Sequence, residues 1–295
     1  MDPAIILFGL GVGALVGVTG MGGGSLMTPL LILVAGIQPV VAVGTDLAYA
    51  AVTKTVGGWR HFRKGTVFPR MALWLAIGSC PAALVGVWIL DRLRDSWGDS
   101  FDTFMLLAIG GTLALTGALV LLRALAIADH AARERGAFVM KARHKAAAVA
   151  LGATIGLVLG VTSAGSGTLI TIGLILGFRL SPHRVVGTDV AHAAVLLWVA
   201  AFAHLLSGNI DFALMGTLLL GSIPGVWVGS NVATRVPQNA LRAALGVVLL
   251  ASSLGLLSKA GLELPAIVLV GVPLVLAVFC YLVLRRRAPL EIGIS

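Results

Sequence analysis

Gly17-Val18-Thr19-Gly20-Met21-Gly22-Gly23-Gly24-Ser25-Leu26-Met27-Thr28 interrupts an apolar run that covers residues 5–35. A second stretch, Gly160-Val161-Thr162-Ser163-Ala164-Gly165-Ser166-Gly167-Thr168-Leu169-Ile170-Thr171, matches it at an offset of 143 and interrupts a second apolar run, 146–178. The halves on either side of each interruption are only ~12–16 residues long. That is short for a helix crossing ~30 Å of hydrocarbon. Each region therefore reads as a helix–break–helix hairpin, either re-entrant from one face or made of two short spans.

The repeat extends well beyond the glycines. Pro39 matches Pro182, and Val43-Gly44-Thr45-Asp46 matches Val186-Gly187-Thr188-Asp189. His61 matches His204, Gly65 matches Gly208, and Pro81 matches Pro224. The register holds without a gap from Gly9 to Gly86, with more than 25 identical positions. Shared apolar composition alone does not align Thr-Asp pairs, histidines and prolines in one frame.

The composition explains why such a repeat belongs in a bilayer. Of 295 residues, 58% are hydrophobic and 11% charged, with a mean hydropathy of +1.03. A soluble domain carries roughly 25% charged residues, so this chain cannot cover a water-soluble fold with a polar skin. The net charge of +9 sits in segments between apolar runs. It reads as the positive-inside signature rather than as a nucleic-acid surface. Cys80 and Cys280 have neither metal-ligand nor disulfide-framework spacing. Met1-Asp2-Pro3 lacks the basic start of a signal peptide.

Spans are expected near 42–60, 69–90, 102–122, 185–207, 211–231, 239–258 and 264–284. Arg60, Arg63, Lys64 and Arg70 place the loop at 60–70 inside, and Asp91, Asp95, Asp99 and Asp102 place the loop at 91–102 outside. Arg123, Arg133, Arg135, Lys141, Arg143 and Lys145 place the linker inside, and Arg235 and Arg242 place their loop inside. The base-free turn Ser207–Asp211 reads as outside, and Arg285, Arg286 and Arg287 put the C-terminus inside. The N-terminus falls outside if each hairpin makes an even number of crossings. The loop at 60–70 and its repeat partner at 203–213 thus lie on opposite faces, so the two copies are inverted.

The expected fold is an all-α polytopic membrane protein with two inverted-topology repeats. Residues 1–122 form the first repeat, 123–145 a cytoplasmic basic linker, 146–262 the second repeat, and 263–295 an extra helix with a short tail. Inverted repeats with broken helices are the architecture of alternating-access carriers. A structural bundle left by an old duplication is the bland alternative. The expected surroundings are the lipid bilayer, with monomer or homodimer left open.

The hairpin breaks are the candidate substrate site. Unwound backbone at membrane depth must face a cavity or a ligand, and a helix restarting there offers N–H groups and a positive dipole end to an anion. Gly22, Gly23, Gly24, Ser25 and Thr28 supply this in the first copy, and Ser163, Gly165, Ser166, Gly167 and Thr168 in the second, with Thr171 one turn along. Thr45 and Thr188 are further donors. Asp46 and Asp189 are costly acids at equivalent positions, candidates for holding a proton or Na⁺, with helix capping as the alternative role. Lys54 lies on the face of Asp46 two turns on, where it can neutralise the acid or attract substrate, and His192 is one turn from Asp189 and positioned to share its proton. No cofactor or metal is expected. The chain has no Gly-Lys-Ser/Thr phosphate loop, no His-Glu-x-x-His and no Gly-x-Ser-x-Gly, which disfavours primary transport and intramembrane catalysis. A channel remains a further alternative.

The Gly-rich hairpin Gly13–Pro29, the Gly44-Thr45-Asp46 that follows it, and their copies at Gly156–Thr171 and Gly187-Thr188-Asp189 resemble the TauE/SafE family, the sulfite exporter-like anion permeases. The resemblance covers nearly the whole chain. It implies a secondary carrier of the bacterial inner membrane that exports small sulfur-containing anions such as sulfite, sulfoacetate or other organosulfonates. Sulfate or a carboxylate as cargo, and uptake instead of export, stay open.

Overall fold

A computed structural model describes residues 3–19, 24–98, 100–125, 140–178, 180, 182–233 and 237–291. Every regular element among them is helical. In chain order these are α1 (Pro3–Thr19), α2 (Gly24–Leu33), α3 (Pro39–Arg63), α4 (Pro69–Trp97), α5 (Ser100–Leu125), α6 (Ala142–Thr162), α7 (Ser166–Ile172, continued by a π-helical turn Gly173–Gly177), α8 (Pro182–Leu206), α9 (Phe212–Ala233), α10 (Gln238–Lys259) and α11 (Ala266–Glu291). Seven of them (α4, α5, α6, α8, α9, α10 and α11) are long and apolar enough to cross a membrane. The protein is a multi-pass, all-α membrane protein.

Local chemistry sets the helix boundaries. Pro39 and Pro69 sit in the first turn of α3 and α4, where a missing N–H costs nothing and the fixed φ is already helical. α3 and α8 end on glycines in left-handed conformation, Gly65 at φ 67° and Gly208 at φ 69°. The next N–H reaches back five residues in each case, Thr66 to the His61 carbonyl at 3.2 Å and Asn209 to that of His204 at 2.9 Å. This satisfies carbonyls that the helix end leaves unpaired and turns the chain sharply into α4 and α9.

The hairpin arms depart from the ~12–16-residue halves expected. α6 runs for 21 residues and α1 for 17, whereas α2 has 10 and α7 has 7. α6 reaches span length because it lies along α4, with Gly152, Gly156 and Gly160 set against the backbone of Leu75, Ser79 and Ala83. A Cβ on Gly156 would overlap the Ser79 carbonyl oxygen, so only glycine permits this approach. The same contacts recur 143 residues away. Gly9, Gly13 and Gly17 of α1 lie against Leu218, Ser222 and Val226 of α9. The first arm of each hairpin therefore packs on a helix of the other copy.

The repeat partners α3 and α8 pack on one another. Trp198 Nε1 donates to Thr55 Oγ1 at 2.8 Å, and Gly57 faces Val190, so the two helices run antiparallel. α5 and α10 repeat the arrangement. Ser253 Oγ donates to the Gly110 carbonyl at 2.7 Å, and Gly117 lies against Gly246. In both hydrogen-bonded pairs the two partners are 143 residues apart. α11 lies outside this arrangement against α10 and α5, with Ile267, Val270, Leu274 and Val275 exposed. Exposed Trp59 and Trp97 lie at the ends of α3 and α4, the places where tryptophan favours a membrane–water boundary, whereas exposed Trp88 and Trp227 lie further inside α4 and α9.

Candidate functional site

The second hairpin turns at Ser163–Gly165. Ser163 is left-handed at φ 56° and Gly165 at φ 86°. These two left-handed residues, with Ala164 between them, stop α6, and α7 restarts with its first intrahelical bond from Leu169 N–H to the Gly165 carbonyl at 3.1 Å. The N–H groups ahead of that bond precede the helical ladder. The counterpart Gly20–Gly23, including Gly22 and Gly23, lies outside the described residues; Gly24 is the first residue of α2.

A cavity of about 300 Å³ opens where the short arms begin. Ser25 reaches it from α2, and Ser163, Ser166, Gly167, Thr168 and Thr171 reach it from the second hairpin. Lys54 of α3, Arg123 of α5 and Arg242 of α10 also line it, against one carboxylate, Asp189 of α8. Asp189 is 7% exposed and its Oδ1 has no hydrogen-bond partner. Its other oxygen sits beside Gly167, where a Cβ would come within 3.5 Å. The wall sums to a positive charge and carries five hydroxyls, a donor set suited to an anion.

Asp46 is elsewhere. It is fully buried on α3, outside the cavity wall, and its Oδ2 accepts from Thr28 Oγ1 at 2.6 Å and from Ser163 Oγ at 2.7 Å. It therefore ties the two hairpins to α3. Its Oδ1 has no partner. Lys54 shares the cavity with Asp189, not with Asp46 on its own helix.

Thr45 and Thr188 are buried and stand away from the cavity wall. Thr45 Oγ1 accepts from Asp211 N–H at 3.1 Å, and Thr188 Oγ1 accepts from Phe68 N–H at 3.0 Å. These two bonds are images of one another in the repeat register. Each one pins the loop ahead of a long helix onto a helix of the other copy. His192 pairs through Nε2 with Ser79 Oγ of α4 at 2.8 Å. Its Nδ1, like Asp189 Oδ1, has no partner, so the one-turn spacing does not join them by a hydrogen bond.

In the sequence Arg123 and Arg242 stand out only as markers of sidedness. The signal that exposes them is position: each lies within a helix, Arg123 two residues before the end of α5 and Arg242 four residues into α10. Thr116 of α5 was also missed. It is buried, its Oγ1 has no partner, and a Cβ on Gly165 would come within 2.9 Å of it. Among the described residues no group of three or more His, Cys, Asp or Glu side chains is arranged to hold a metal ion.

The family model described as "Sulfite exporter TauE/SafE" matches residues 5–256. The chain is 39% identical over 258 residues to the "Probable membrane transporter protein YjnA" of Bacillus subtilis (strain 168), covering 87% of this chain and 100% of that protein. It is 29% identical to the "Probable membrane transporter protein YdhB" of the same strain, covering 82% of this chain and 93% of the relative. A "Probable membrane transporter protein" of Xylella fastidiosa (strain 9a5c) is 27% identical, covering 85% and 94%. No solved structure matches significantly. With a whole-length transporter relative and a family model spanning both hairpins, the chain belongs to the TauE/SafE sulfite exporter family of membrane transporters.

Proposed function

We propose that the protein is a secondary transporter that exports small sulfur-containing anions, such as sulfite, sulfoacetate or other organosulfonates, across the bacterial inner membrane. The observation that carries this reading is the cavity where Lys54, Arg123 and Arg242 meet the hydroxyls of Ser25, Ser166 and Thr168. Among the described lining residues three are cationic, Lys54, Arg123 and Arg242, and one is a carboxylate, Asp189, an excess of positive charge that attracts an anion. A volume of about 300 Å³ corresponds to roughly ten water molecules, room for an organosulfonate or a hydrated oxyanion.

The mechanism is alternating access between two inverted repeats, 1–122 and 146–262, joined by the basic linker and followed by the extra helix 263–295. The antiparallel packing of α3 on α8 and of α5 on α10 supports this inversion. Arg123 and Arg242 stand at the helix ends that the basic loops assign to the cytoplasm, with the N-terminus outside and the C-terminus inside. The cavity thus faces the compartment from which an exporter loads. Asp46 and Asp189 carry the coupling to protons or Na⁺.

Flux into and out of proteoliposomes tests this, using sulfite, sulfoacetate, taurine, sulfate and acetate at two pH values. The expected outcome is saturable, counter-ion-dependent movement of the sulfonates and sulfite. Faster movement of sulfate or acetate would reassign the cargo. Absence of movement for every anion would remove the reading.

A further inference from the structure

A hydroxyl has one proton to donate. The Ser163 hydroxyl directs its proton to Asp46 Oδ2 at 2.7 Å, although Ser163 lines the cavity. Toward the cavity this hydroxyl therefore presents only lone pairs, the wrong polarity for an anion. Thr28 is committed in the same way, at 2.6 Å, to the same oxygen. The donor set of the cavity is incomplete for as long as Asp46 is a carboxylate.

We propose that Asp46 sets the anion affinity of the cavity through Ser163. When Asp46 gains a proton, its charge-assisted hold on the hydroxyl is reduced to a neutral hydrogen bond of about half the strength. Ser163 Oγ–H then turns to the anion, and Oδ1, which has no hydrogen-bond partner among the described residues, is the oxygen that takes up the proton. Asp46 is a positioning residue: it lies outside the cavity wall and acts through a side chain that lies within it. Proton and anion binding are thereby coupled in one direction, each favouring the other.

The device exists in only one copy. The residue in register with Ser163 is Gly20, which has no hydroxyl. Asp189, the partner of Asp46, lines the cavity itself, together with Thr171, the partner of Thr28. Among the described residues Asp46 accepts from the hydroxyls of Thr28 and Ser163 and faces the backbone of Thr28. The titratable or charged groups on the described elements around it are Tyr49, Lys54, Arg60, His61 and Arg63 on α3; His183, Arg184, Asp189, His192 and His204 on α8; Asp102 and Arg123 on α5; Arg143, His144 and Lys145 on α6; and Asp211 ahead of α9. α2 and α9 contribute none.

This inference rests on the anion reading of the cavity, and the test separates the two. Full-length protein is titrated with radiolabelled methanesulfonate, which carries one charge at every pH used, under acid and alkaline conditions. The wild type is expected to bind about tenfold more tightly at acid pH, the value of one hydrogen bond to a charged group. S163A should lose the part of the step that passes through Ser163 and keep only the smaller part due to Asp189 in the cavity wall, and S163T should restore the full step. D46N should match S163A; if that variant does not fold, the pair at position 163 decides alone. A step of wild-type size in S163A, or equal weakening of S163A at both pH values, overturns the proposal. Binding that is lost in R242Q but shows no pH step also overturns it, and leaves the anion site standing. Failure of the wild type to bind methanesulfonate, sulfate or acetate at either pH removes both readings.

Discussion

Thr45 and Thr188 illustrate how one residue type serves two purposes in this chain. Both follow a glycine and precede an aspartate, and both looked like anion donors. Instead each accepts a backbone N–H from the loop of the other copy. Replacing either with valine removes that hydrogen bond, at a cost of about 0.5–1.5 kcal/mol. T45V and T188V should therefore lower the thermal midpoint in detergent while leaving the apparent KM for substrate unchanged. Arg123 and Arg242 should behave oppositely. R123Q and R242Q should each weaken anion binding about tenfold or more, as expected for losing a hydrogen bond to a charge, with little change in thermal midpoint. D189N should slow transport and flatten its pH dependence, because the cavity loses its one carboxylate; an unchanged rate and pH profile would end its coupling role. The two Thr-Asp pairs were legible as a motif, but their separate roles were not. Identical sequences in the two copies place Asp189 in the cavity wall and Asp46 behind it, and only the packing around each decides which.

At the scale of elements, the glycines divide into those that admit another backbone and those that do not. Gly156 of α6 and Gly13 of α1 are pressed against Ser79 and Ser222, whereas Gly11 has nothing near its missing Cβ. G156L and G13L should collapse the yield of monodisperse protein in size-exclusion chromatography, and G11L should leave it intact. The break positions were readable, since glycine clusters in an apolar run mark where a helix may stop. The arm lengths were not. α6 extends to span length through its contact with α4, and α7 passes into a π-helical turn at Gly173–Gly177; neither follows from local propensity, which tertiary packing overrides.

For the whole molecule, contacts that recur at one offset make each hairpin a guest of the opposite copy. The inversion of those copies has a direct test. Cys80 and Cys280 are replaced by alanine, and a single cysteine is introduced at Thr66 or at Gly208. In intact cells a membrane-impermeant thiol reagent should label position 208 and spare position 66 until the membrane is opened. Labelling of both from one side would contradict the inverted arrangement and the alternating-access reading built on it.

The sequence by itself determined the membrane class, the repeat and its register, because hydropathy and side-chain identity are local properties that survive in a string of letters. Family membership was legible for the same reason, carried by the Gly-rich hairpins and the Gly-Thr-Asp motifs. The cavity was decided by tertiary structure alone. Lys54, Arg123, Asp189 and Arg242 come from four helices distant in the chain. The field they set up together depends on their separations, which only the packed bundle defines.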